Sequence, residues 1–88
     1  MYLHIGANIL IETKSIVAIY HIKSVEKTKE YQKLMEELKE KKQYYNSFPE
    51  EEKSLVITKE ESKIKGYISN ISSITLAKRA QMSKGKIG

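Results

Sequence analysis

Three features of the sequence predict an α+β fold. Short β-branched and aromatic runs fill the N-terminal quarter, a lysine- and glutamate-rich stretch with helical spacing follows, and strand composition returns after Pro49. The expected architecture is a small sheet of about five short strands with one long amphipathic helix and a short C-terminal helix. With 88 residues there is room for one hydrophobic core, so residues 1–82 are expected to form a single domain and 83–88 a flexible C-terminal tail.

Tyr2 to Ile5 and Asn8 to Ile11 read as two strands around Gly6, and Ile16 to Ile22 as a third, because the runs are β-rich and too short for paired helices. Both alternating faces of the third are largely apolar, which calls for cover on both sides. From Ser24 to Tyr45 the period changes: Val25, Tyr31, Leu34, Met35, Leu38 and Tyr45 recur at three- and four-residue steps, and Glu/Lys pairs line the other face. A helix of that length spans on the order of 30 Å and can roof the sheet. Its end is expected near Asn46, since Pro49 disfavours helical backbone at Phe48. Glu50 to Lys53 form a connector, Ser54 to Thr58 a strand, Lys59 to Ser62 a turn, and Lys63 to Ser69 a strand with Ile64 and Ile68 on one face, opposite Lys65 and Tyr67. Ser72 or Ser73 suits an N-cap for a short helix reaching Gln81 or Met82, with Ile74 and Ala77 on its apolar side and Lys78 and Arg79 turned outward.

Composition narrows the function. Cysteine and Asp are absent and there are two His, so thiolate sites are excluded and few parts exist for a metal cage or an acid/base pair. His4 and His21 fall in separate strands, only four Gly are present, and no glycine-rich phosphate loop can be drawn. Ser72, Ser73 and Thr75 lack a motif-placed base and suit helix capping better than nucleophilic work. The chain is therefore expected to be no enzyme and to carry no cofactor or metal. Its apolar runs fall short of the ~20 residues a membrane span needs, and no secretory signal is visible, so a cytoplasmic protein without membrane contact is expected.

Sixteen Lys and Arg against 11 Glu make the net charge +5. The excess is concentrated: residues 54–88 hold seven basic residues and two Glu, whereas 24–53 hold seven and eight. That asymmetry fits either an anionic partner met by the C-terminal third or a solvated basic tail. The candidate contacts are Lys14, in the turn between two strands, and Lys78 with Arg79 on the last helix. With one Arg in the chain, phosphate contact suits these residues better than bidentate reading of guanine edges.

Tyr2-Leu3-His4-Ile5-Gly6, Thr13-Lys14-Ser15, Ile16-Val17-Ala18-Ile19-Tyr20 and above all Ser72-Ser73-Ile74-Thr75-Leu76-Ala77-Lys78-Arg79-Ala80-Gln81 resemble the RemA/RemB extracellular matrix regulatory proteins, on the RemB side. The resemblance covers nearly the whole chain and is weakest in the Lys/Glu helix. It implies a small cytoplasmic bacterial regulator of biofilm-matrix genes, a homo-oligomeric ring with double-stranded DNA following its basic rim. Lys14 stands where the family usually places an Arg. Before the later strand the DNA-binding RemA branch carries an arginine pair, where this chain has Glu50, Glu51 and Glu52, with Lys53 the sole cation. The expected DNA contacts are thus Lys14, Lys53, Lys78 and Arg79. A row of carboxylates on a DNA-facing rim would repel phosphate, which leaves an alternative: a structural or protein-interaction module that co-assembles with a DNA-binding paralogue.

Overall fold

The computed structural model describes residues 1–83. Their elements run β1 (Tyr2–His4), β2 (Leu10–Glu12), a 3-10 turn (Thr13–Ser15), β3 (Ile16–His21), α1 (Ile22–Val25), α2 (Lys29–Glu40), β4 (Tyr44–Asn46), β5 (Ser54–Glu60), β6 (Lys63–Ser69) and α3 (Ser73–Ser83). The α+β class is as expected. Apart from Ser83, the expected tail lies outside the described residues.

Strands β3-β5-β6-β4 form one sheet, with β3/β5 and β5/β6 antiparallel and β6/β4 parallel. β5 is central, and its alternation divides the core. Leu55 and Ile57 meet Ile22, Leu38 and Ile68 on one face, where Tyr31, Leu34 and Met35 of α2 also pack. Val56 faces the other way, onto Leu3, Ile5, Ile11 and Leu76. Helix α2 therefore roofs one side of the sheet, and the β1–β2 hairpin with α3 closes the opposite side.

The side chains at 31, 34, 35 and 38 make the apolar stripe of α2, as the spacing predicts. Its limits differ from the expected Ser24 to Tyr45. Thr28 has extended backbone, and its hydroxyl accepts the Tyr31 N–H at 3.1 Å, which starts a new helix and leaves α1 as a separate turn. At the other end Lys42 adopts φ 57°, Gln43 N–H donates to Leu38 O and Lys42 N–H to Lys39 O. This is a Schellman motif with lysine in the position glycine usually takes. The released Tyr44 to Asn46 segment pairs with Gly66, Tyr67 and Ile68, and Tyr45 stacks on Tyr67 with centroids 5.0 Å apart. These residues supply the strand that raises the expected five to six.

Two further corrections concern the edges. β1 and β2 form a sheet of their own, joined by a turn in which Gly6, Ala7 and Asn8 all have positive φ. β3, expected to be covered on both sides, lies at the sheet edge and is covered only in part. Ile16 and Ile19 pack on one side and Ala18 on the other, all half-buried, while Val17, beside a bulge between Ile16 and Ala18, and Tyr20 and His21 are exposed. On α3, Ile74 is 68% exposed and Ala77 is also outside, while Leu76 at 0% reaches the core with half-buried Ala80. The helix is capped by Ser72, whose Oγ accepts the Thr75 N–H at 3.2 Å. Capping there fixes the rotation that turns position 76 inward.

Two serines tie the hairpin side to the sheet. Ser69 Oγ donates to Ile5 O at 2.8 Å and accepts from Ile71 N–H at 3.0 Å, while Ser54 Oγ donates to Ile71 O at 2.5 Å. These bonds satisfy buried backbone groups that the end of β6 would otherwise leave without partners.

Candidate nucleic-acid interface

The cations sort by element. On α2, Lys29, Lys33 and Lys39 are offset by Glu30, Glu36, Glu37 and Glu40, so the roofing helix has no positive surplus. Among the described residues, Lys27, Lys41 and Lys42 flank that helix, and the other cations lie towards the two ends of β5 and on α3.

Lys14 sits in the 3-10 turn, and its side chain is 82% exposed with Nζ 3.4 Å from Glu12 Oε2. A pair this exposed contributes little and leaves the ammonium free to exchange partners. Because Ile16 lies opposite Thr58 in the register, the turn stands beside the β5–β6 hairpin. Lys14 thereby joins Lys59, Lys63 and Lys65 around a concavity of ≈ 690 Å³ that also holds Glu12, Ser15, Glu60 and Glu61. Ser15 Oγ donates to Glu60 Oε2 at 3.2 Å and fastens the turn to the hairpin. Sequence reasoning missed these three lysines. Part of their signal was present: the two-residue turn at Glu61-Ser62 puts Lys65 opposite Thr58 and Lys63 opposite Glu60 on the face of β6 away from Ile64, whereas Lys59 lies opposite Ile64 and shares its face.

Lys53 lies at the other end. Its N–H donates to Ser69 O and its carbonyl accepts from Ile22 N–H, so the backbone is held while the residue stays exposed. It shares a concavity of ≈ 180 Å³ with His21, Lys23, Glu52 and Ser72. Between Lys14 and Lys53 runs most of β5, on the order of 20 Å at ~3.4 Å per residue. Lys78 and Arg79 are exposed on α3, and Arg79 Nη1 reaches His4 O at 3.5 Å. The four expected contacts are therefore spread over three places, with only Lys78 and Arg79 adjacent.

Glu50, Glu51 and Glu52 are all exposed in the loop before β5. Glu51 N–H closes a turn onto Phe48 O, and Glu52 Oε2 accepts from Asn46 Nδ2 at 2.7 Å. Lys14 with Glu12 is the single ion pair among the described residues, so the three carboxylates have no cation within pairing distance there. Nor do the described residues contain a cluster of His, Cys, Asp or Glu arranged to hold a metal ion, or a helix long and apolar enough to cross a membrane.

Residues 2–80 match the family described as RemA-like, extracellular matrix regulatory protein A-like. No curated protein matches the chain.

Proposed function

The chain belongs to the RemA-like family of extracellular matrix regulatory proteins, and on that premise we propose that it is a bacterial, cytoplasmic transcriptional regulator that binds double-stranded DNA as a homo-oligomeric ring. In this proposal it sits on the RemB side of the family. Lys14, Lys53, Lys78 and Arg79 make contacts to phosphate, and matrix genes are the targets. The supporting observation is the exposure of all four cations on a family member carrying a net charge of +5. In one copy they are too scattered to grip a duplex tightly. Repeated around a ring they form a positive belt, and linked weak contacts gain avidity without any single strong one. Each phosphate neutralised adds about −0.9 to the slope of log affinity against log salt.

One observation favours a second function. The exposed Glu50 to Glu52 loop precedes Lys53 directly, and carboxylates facing phosphate would cost affinity. A module that co-assembles with a DNA-binding paralogue, without touching DNA itself, tolerates that loop. Gel shift of a long duplex with the chain alone, and with such a paralogue added, separates the two. A shift by the chain alone supports direct binding. A shift confined to the mixture refutes it and supports the module.

A further inference from the structure

We propose that the lysine-lined concavity beside the β5–β6 turn receives the Glu50–Glu52 loop of a second copy, joining copies head to tail. This rests on the self-assembly proposed above and specifies which surfaces carry it.

Charge accounting within the chain points to the occupant. In the concavity Glu12 is paired with Lys14, and Glu60, one oxygen of which Ser15 holds, and Glu61 leave Lys59, Lys63 and Lys65 with a surplus of one positive charge. Lys59, Lys63 and Lys65 have no carboxylate within ion-pair distance among the described residues. The Glu50–Glu52 loop presents the opposite sign in the same state, exposed and without a cation in reach. The two surfaces lie at opposite ends of β5, on the order of 20 Å apart along a rigid strand, so neither can satisfy the other inside one chain. A second copy displaced along the strand direction brings them together.

The chemistry of the contact is favourable for charges of this kind. Lys65 is half-buried and lies inside a concave surface, where a pair is screened less than on open surface. Complementary potentials of this sort fix register and exclude wrong partners. Because the two patches differ, the contact is heterologous, and its repetition either closes a ring or extends a filament. Docking also draws the carboxylates away from any DNA-facing rim and leaves Lys78 and Arg79, on α3, outside the contact, whereas Lys14 lines the concavity and Lys53 adjoins the docked loop.

The test is molar mass by light scattering, without DNA, on the full chain and two charge reversals. Lys63→Glu/Lys65→Glu makes both ends acidic, and Glu50→Lys/Glu51→Lys makes both ends basic. Each reversal alone is expected to weaken association at least tenfold, and an equimolar mixture to restore wild-type mass, because each acidic end then meets a basic one. Restoration in the mixture also shows that both variants fold. An assembled wild type whose mass ignores both reversals, or reversed chains that fail to recover on mixing, overturns this docking and leaves the DNA proposal standing. A monomeric wild type overturns the docking and also removes the avidity on which DNA binding depends.

Discussion

Replacing Gly66 by Ala probes the contact that seats the roofing helix on the sheet. Gly66 lies in β6 opposite Ile57, and a Cβ added there would sit 2.6 Å from Leu38 Cδ1, 3.3 Å from Leu55 Cδ1 and 3.5 Å from Ile57 Cδ1. Carbon contacts settle at about 3.5–4.0 Å, so the Leu38 methyl must retreat by roughly 1 Å or α2 must lift. Leu38 is buried between α2 and Leu55, and has little room to turn. Overpacking of this kind costs about 1–3 kcal/mol, against a gain of about 0.5–1 kcal/mol from removing glycine's freedom in a strand. The net expectation is a loss of about 1–2 kcal/mol, read by urea unfolding at one fixed protein concentration so that association does not contribute. Leu38→Ala alone should cost about 2–5 kcal/mol through its cavity. In the Gly66→Ala background it should cost at least about 1 kcal/mol less, because the new methyl fills part of that cavity. Gly66→Ala as stable as wild type, or two changes that add within about 0.5 kcal/mol, would refute the packing described for this face.

Lys42→Gly should stabilise the chain by about 0.5–1 kcal/mol, since the left-handed backbone at φ 57° suits glycine and both Schellman hydrogen bonds are already made; thermal melts that fall or stay level contradict this. Burial raises the Tyr31 hydroxyl pKa from 10.0 to about 12, with smaller contributions from Tyr44, Glu52 and Glu26. A folded pKa above the unfolded one gives stability that is complete below pH 10 and declines as pH rises through 12. Unfolding free energies measured from pH 9 to about 12 should therefore fall less steeply in Tyr31→Phe. An unchanged slope excludes Tyr31 as the source. For duplex binding, Lys14→Glu should lower affinity more than Lys29→Glu, which lies on the charge-balanced α2; equal losses in filter binding would show a response to net charge alone.

The elements written by local pattern were legible. The 31, 34, 35, 38 stripe, the alternation in β6 and the serine cap of α3 each follow from side chains a few residues apart. What escaped depended on partners distant in sequence or on an unfavoured residue in a special conformation. Lys42 ends α2 with left-handed backbone that glycine would have announced and lysine conceals. Tyr44 to Asn46 become a strand only because β6 offers a parallel partner about twenty residues later. Ile74 and Leu76 compete for the inner side of α3, and the capped start at Ser72 settles the rotation in favour of Leu76. Lys14 was identified as a loop cation, but its neighbours Lys59, Lys63 and Lys65 required the β3–β5–β6 register.

That register also explains how so small a chain can present distinct surfaces at its two ends. β5 is buried from Ser54 to Thr58 and is flanked by exposed charges before and after. The buried strand separates the carboxylates of one loop from the lysines of the other, and α3 carries Lys78 and Arg79 independently of both. Assembly and phosphate contact can therefore use different side chains, with Lys14 and Lys53 at the boundary between them.

Equilibrium titration of a long duplex by the assembled protein at about 50 mM and 200 mM salt tests phosphate contact most directly. The proposed multi-copy contact requires affinity to fall steeply between the two, by on the order of 1000-fold for six or more phosphates. Affinity that is nearly insensitive to salt, or binding absent at both concentrations, contradicts it.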